Sequence, residues 1–128
     1  MSGETNRGPP GAAPVPCEIR LETAERVLEV DFSDGTKLLY PAELLRVESP
    51  SAEVRGHGPG QKKIVAGKRE VGILAVEPVG NYAVLIRFDD GHDTGLFSWD
   101  YLYNLGQRQD EVWQAYLAAL EDQGLSRD

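Results

Sequence analysis

The chain has 128 residues, the length of one ordinary domain, with 41% hydrophobic and 27% charged residues, a soluble globular balance. No apolar run reaches the roughly 18–20 residues of a membrane span, and the opening MSGETNRGPPGAAPVP lacks the apolar stretch of a secretory signal. A formal net charge of −8 argues against broad nucleic-acid binding, and the lone Cys17 excludes an internal disulfide, which fits a reducing, cytoplasmic setting of bacterial type.

Residues 1–16 hold four prolines and three glycines and almost no large apolar groups, so a disordered tail is expected there. CEIRL (17–21) and RVLEVDF (26–32) alternate, with Leu28, Val30 and Phe32 on one face, and predict two strands. Cys17 reads as a small hydrophobe at the start of the first. Ser33-Asp34-Gly35 predicts a tight turn, TKLLY (36–40) a returning strand, and Pro41 the first position of a short helix over PAELLRV. VGILAVEP (71–78) is a further strand, and YAVLIRF (82–88) is apolar enough to lie centrally in its sheet. Asp89-Asp90-Gly91-His92 turns the chain and DTGLF (93–97) returns. Ser98 caps a short helix, WDYLYN, which Leu105-Gly106 is expected to end. In QDEVWQAYLAALEDQ, Val112, Trp113, Tyr116, Leu117 and Leu120 recur at helical spacing, and Gly124 closes the helix. Trp99, Tyr101 and Tyr103 fit a core or an interface equally well.

The two halves are alike. LEVDFSDG (28–35) matches VLIRFDDG (84–91) at an offset of 56, and LYPAELLR (39–46) matches LFSWDYLY (96–103) at an offset of 57. Each half is too small for a core of its own. The expected fold is therefore α+β, a single domain of two pseudo-repeats. Each repeat has three short antiparallel strands and a short helix, and an amphipathic C-terminal helix follows. The repeats fill 17–106, and the last helix and tail fill 107–128.

The segment SPSAEVRGHGPGQKK (49–63) bridges the repeats. It is no phosphate-binding P-loop, because Lys62 is displaced, no Ser or Thr follows it, and Pro59 removes an N–H. Arg55, Lys62, Lys63, Lys68 and Arg69 make residues 55–69 wholly basic on an acidic body. They suit an anionic ligand or an acidic partner, or a solvated loop. A structural zinc site needs four nitrogen or sulfur ligands, and the chain has Cys17, His57 and His92. An iron site of two histidines and a carboxylate, from Asp90 or Asp93, would need His57 and His92 to converge. The plain reading of His92 is a turn residue, and of His57 an exposed loop residue. Ser33, Ser49, Ser51 and Ser98 occupy turn or cap positions, and none lies in a nucleophile motif.

LRVESPSAEVRGHGPG, followed by VGILAVEPVGNYAVLIRFDDGHDTGLFSWDYLYNLG, strongly resembles the gamma-butyrobetaine hydroxylase-like N-terminal domain family over residues 18–106. The distinctive runs are S-P-S-A-E-V-R-G-H, E-P-V-G-N-Y and D-G-H-D-T-G-L-F-S-W-D-Y-L. The resemblance implies a small bacterial protein of unassigned function. Related domains form the N-terminal part of 2-oxoglutarate oxygenases of carnitine biosynthesis and a C-terminal part of chloroplast P-loop iron–sulfur scaffold proteins. In the oxygenases the domain is similar to a zinc-bearing accessory module, whose three cysteines would fall on Ser49, Ser51 and Val54 and whose histidine would fall on His92. Only the histidine is retained, and the iron-bearing catalytic domain of those enzymes has no counterpart here. The expected function is a non-enzymatic binding or accessory module for a protein partner, linked to iron–sulfur or oxygenase proteins. The alternatives are a protein binding iron or zinc through His57, His92 and Asp90 or Asp93, and a small enzyme on an anionic substrate using Arg55, Lys62 and His57.

Overall fold

Alternating strands with tight Asp-Gly turns give two three-stranded antiparallel sheets in the computed structural model, which describes residues 13–51 and 63–128. The first sheet contains β1 (Pro16–Glu22), β2 (Val27–Phe32) and β3 (Lys37–Pro41), followed by α1 (Ala42–Val47). The second contains β4 (Ile73–Val79), β5 (Ala83–Phe88) and β6 (Gly95–Ser98), followed by α2 (Trp99–Gln107) and α3 (Gln109–Asp122). Each sheet runs in chain order, so β2 and β5 are the central strands. The expected α+β duplication is the observed architecture.

The duplication extends to single hydrogen bonds. Gly35 and Gly91 take φ of 90° and 93°, a region open to glycine, and so close equivalent turns. Phe32 N–H donates to Thr36 O as Phe88 N–H donates to His92 O. Asp34 accepts from the Thr36 N–H as Asp90 accepts from the His92 N–H. Each turn also reaches the helix of the other repeat: Asp34 accepts from the Tyr103 hydroxyl, and Asp90 from Arg46. The halves are thus related by a pseudo-twofold exchange, each locking the other.

One core lies between them. Leu28, Val30 and Phe32 of β2 meet Val84, Ile86 and Phe88 of β5, all nearly inaccessible, together with Leu44, Leu45 and Leu102 from the helices. Buried Tyr40 donates to the Leu102 carbonyl at 2.6 Å, which satisfies its hydroxyl, and burial raises its pKa. Val47, Tyr116 and Leu120 form a second cluster that binds α3 to the domain. Trp99, Tyr101 and Tyr103 all pack against the main core.

Four local expectations are corrected. Pro41 ends β3 and precedes α1 in an extended conformation, rather than opening the helix. Helix α2 runs through Gly106 to Gln107, and Gly106 serves packing rather than termination: a Cβ there would meet Leu38 and Tyr40 at 2.5 and 2.8 Å. Cys17 is exposed, since the bulge between Pro16 and Glu18 turns it outward. The ordered chain begins before Cys17: Val15 exchanges hydrogen bonds with Ser33, and Pro16 opens β1.

Candidate functional site

The second Asp-Gly turn builds the site. Asp90 fixes the backbone of His92, and the turn aims the imidazole inward, leaving His92 5% exposed. The chain leaving α1 meets it there. Ser49 Oγ lies 3.0 Å from His92 Nε2 and Ser51 Oγ 3.3 Å from it, and both serines are buried. With Nδ1 protonated, Nε2 accepts from a serine hydroxyl; in the other tautomer it donates to one. The turn-residue reading of His92 is right about its backbone and wrong about its side chain, which is a buried anchor.

Gly95 makes the space. A Cβ there would stand 2.3 Å from Ser49 Oγ. The equivalent place in the other half, by the 57-residue offset, is Leu38 against Gly106. One repeat fills this junction with an apolar side chain and the other with a polar serine–histidine cluster.

Beside the cluster, Asp90 Oδ2 receives Arg46 Nε at 2.7 Å and Lys68 Nζ at 2.5 Å. Burial alone pushes the Asp90 carboxyl up, but hydrogen bonds from Lys68, the His92 N–H and Arg46 outweigh it and hold it well below the usual carboxylate range. A carboxyl depressed on folding adds stability above its ordinary value of about 3.9, and that stability is lost as pH falls toward the folded value. Asp90→Asn should therefore flatten the acid limb of the unfolding curve. Urea midpoints at pH 7 and pH 3 measure this, with a larger drop in the wild type; equal drops would contradict the assignment.

The other expected site residues disperse. Asp93 is exposed and pairs with Arg87 at 3.3 Å. Arg69 pairs with Asp128, and Lys68 serves Asp90. Lys63 borders a cleft of about 440 Å³ whose apolar wall includes Val47, Ile64, Leu105 and Tyr116. Val54, Arg55, His57 and Lys62, and with them the convergence of His57 on His92, lie outside the described residues. Among the described residues no three His, Cys, Asp or Glu side chains are grouped to hold a metal ion.

The match to known proteins follows this geometry. The model of the family described as gamma-butyrobetaine hydroxylase-like, N-terminal, covers residues 19–103, from β1 into α2. The chain belongs to this family. Two relatives with NMR solution structures are 48% and 47% identical to it, with TM-scores of 0.80 and 0.79. The first comparison covers 91% of this chain and 92% of the relative, and the second 94% and 89%. A crystal structure from Acidithiobacillus ferrooxidans, of a DUF971-family protein with unknown function, is 45% identical with a TM-score of 0.61, over 71% of this chain and 91% of that one. Among curated proteins, none matches. The family resemblance puts thiolates at 49 and 51, and the structure puts two hydroxyls there, turned to His92. Hydroxyls are poor zinc ligands, so this donor set does not fit the zinc site that the resemblance implies.

Sequence reasoning missed Ser49 and Ser51 as partners of His92, treating them as turn residues. It also missed the Asp90–Arg46–Lys68 group. The repeat held the signal for part of this, because Arg46 and Asp90 sit at the positions of Tyr103 and Asp34.

Proposed function

We propose that this protein is a non-enzymatic binding module in which the His92–Ser49–Ser51 cluster anchors the start of a basic recognition segment. One observation carries the reading. The imidazole, the group best suited to acid–base work, is buried, with its Nε2 facing two serine hydroxyls shortly before the residues that bear Arg55, Lys62 and Lys63. The neighbouring carboxylates Asp90 and Asp93 are committed to ion pairs. This leaves the basic residues to recognise an acidic protein surface, in the cytoplasm and in the service of iron–sulfur or oxygenase proteins. The small-enzyme reading would need His57 to act without these groups.

The test is quantitative affinity capture from a native extract with the wild type and with Arg55→Glu/Lys62→Glu/Lys63→Glu. A protein retained in stoichiometric amount by the wild type and lost by the folded variant is the expected result. Equal capture by both, or capture of nothing, would overturn the reading.

A second reading keeps a metal ion, iron or zinc, on His57, His92 and Asp90 or Asp93. What favours it is that Ser51, beside His92, leads directly into the segment that carries His57. It requires Asp90 to leave Arg46 and Lys68, or Asp93 to leave Arg87. Metal content of protein purified without a histidine tag, compared with His57→Ala and His92→Ala, decides it: near-stoichiometric metal lost in both variants is its requirement.

A further inference from the structure

Three separate segments converge on the second Asp-Gly turn. Arg46 comes from the last turn of α1, Lys68 from the segment whose backbone is bonded to residues 126–127, and Asp90 from the turn itself. Arg46 Nε and Lys68 Nζ both approach one oxygen, Asp90 Oδ2, while Oδ1 accepts the His92 N–H. The three side chains are only 12%, 23% and 17% exposed. Two cations against one carboxylate leave one positive charge over, and among the described residues no other carboxylate pairs with either cation.

The same group is short of an acceptor. Arg46 Nη1 is buried and makes no hydrogen bond, and among the described residues it is the only buried side-chain nitrogen or oxygen in that state. A buried donor without a partner has given up its hydration for nothing, at a greater cost when it is charged. Native structures rarely leave such a group without a bound water, ion or ligand. The duplication shows that closing the turn does not require it. In the other half the turn at Asp34 is held by the hydroxyl of Tyr103, the counterpart of Arg46. A phenol is neutral and has one hydrogen to give, so that junction closes with no surplus cation and no unmet donor.

A single negative charge carried on an accepting oxygen meets both shortages at once. A carboxylate has that charge and the planar pair of oxygens that a guanidinium binds, whereas a phosphate dianion exceeds the charge and chloride has no oxygen. Lys68 is the most exposed of the three and lies outside any helix or strand, so it is the group with room to turn aside for the ligand.

We propose that Arg46 and Lys68, beside Asp90, form a binding site for one carboxylate group, borne by a free small acid or by an acidic side chain of another protein. Arg55, Lys62 and Lys63 take no part in it, so its failure would leave the anchored-segment reading standing.

The test is titration of labelled full-length protein with sodium acetate by NMR, against sodium chloride at equal ionic strength. Acetate should shift the Arg46 Nε–Hε resonance and the amides of 46, 68 and 90–92 to saturation, and chloride should not. An end-blocked Gly-Glu-Gly peptide, beside Gly-Gln-Gly, separates the two sources. The same shifts with the glutamate peptide assign the carboxylate to a protein side chain, and shifts with acetate but not the peptide assign it to a free acid. Arg46→Lys keeps the charge and a donor for Asp90 but removes Nη1, and should weaken binding by about tenfold or more. Lys68→Gln, which removes the surplus charge, should do the same. Arg108→Gln removes an equal charge from an exposed pair elsewhere and should leave affinity unchanged. Each variant is checked for a native-like spectrum first. No saturable shift with either acetate or the glutamate peptide, equal shifts with chloride, or undiminished affinity in Arg46→Lys would overturn the proposal.

Discussion

Replacing Arg127 with methionine should destabilise the protein by about 3 kcal/mol, lowering the melting temperature by on the order of 10 °C. Arg127 donates through Nε and Nη2 to both oxygens of Glu43 at 2.9 and 2.7 Å, and its guanidinium lies 5.2 Å from the Trp113 ring centre. Glu43, in α1, has a side chain only 7% exposed. Removing the arginine leaves that carboxylate buried without its cation, and breaking a buried pair costs several kcal/mol. Arg127 itself is 31% exposed, which moderates the loss. The pair also closes a larger structure. Gly67 N–H donates to Ser126 O and Arg69 N–H to Arg127 O, so residues 126–127 strap the segment that positions Lys68 on Asp90. Arg127→Met should therefore shift amide resonances of 67–69 and 90–92 as well as those near Trp113. The double variant Glu43→Gln/Arg127→Met removes both charges and should recover a substantial part of the stability, since an absent buried pair costs less than half of one. A wild-type-like melting temperature for Arg127→Met would mean that the strap contributes nothing to the fold.

That strap shows where sequence reading stops. The strands, the Asp-Gly turns, the Ser98 cap and α3 were legible because each depends on local periodicity or on a residue with a strong local preference. The duplication was legible for the same reason, and it gave the fold class. The partnership of Glu43 with Arg127 joins residues 84 positions apart through two charged groups that look, in sequence, like ordinary surface residues. Cys17 was misread because a bulge, not the alternating pattern, decides its direction. His92 was half legible: D-D-G-H predicts the turn, but whether the ring faces solvent or core depends on what the other repeat places against it. Gly95 gave no signal at all. Gly95 reads only as part of the returning strand 93–97, and its real role is the absence of a side chain opposite Ser49.

Gly95→Ala should accordingly cost about 2 kcal/mol, as overpacking at a closed junction does. The new methyl would lie 2.3 Å from Ser49 Oγ and 3.1 Å from Phe97 Cε1. The contact with the Ser49 hydroxyl is far the shorter, so Ser49, itself fully buried, is the group that must move, and moving it weakens the bond to His92. The Ser49 Cβ, at 3.5 Å, is in ordinary contact with the added methyl. Trimming the serine to alanine therefore removes the collision while forfeiting a hydrogen bond worth about 1 kcal/mol. The two substitutions should be coupled: Ser49→Ala/Gly95→Ala should lose at least about 1 kcal/mol less stability than the sum of the two single losses. Gly106→Ala, in the equivalent junction, provides the contrast. Its methyl meets the end of Leu38, which can rotate away, but also the Tyr40 hydroxyl. It gains about 1 kcal/mol of helix propensity within α2, which Gly95 in a strand cannot. Gly106→Ala should thus be the milder of the two. Urea unfolding of the four proteins of the cycle, with Gly106→Ala alongside, measures all of this. Additive losses at 49 and 95, within about 0.5 kcal/mol, would show that Gly95 does not make the room in which the histidine anchor is held.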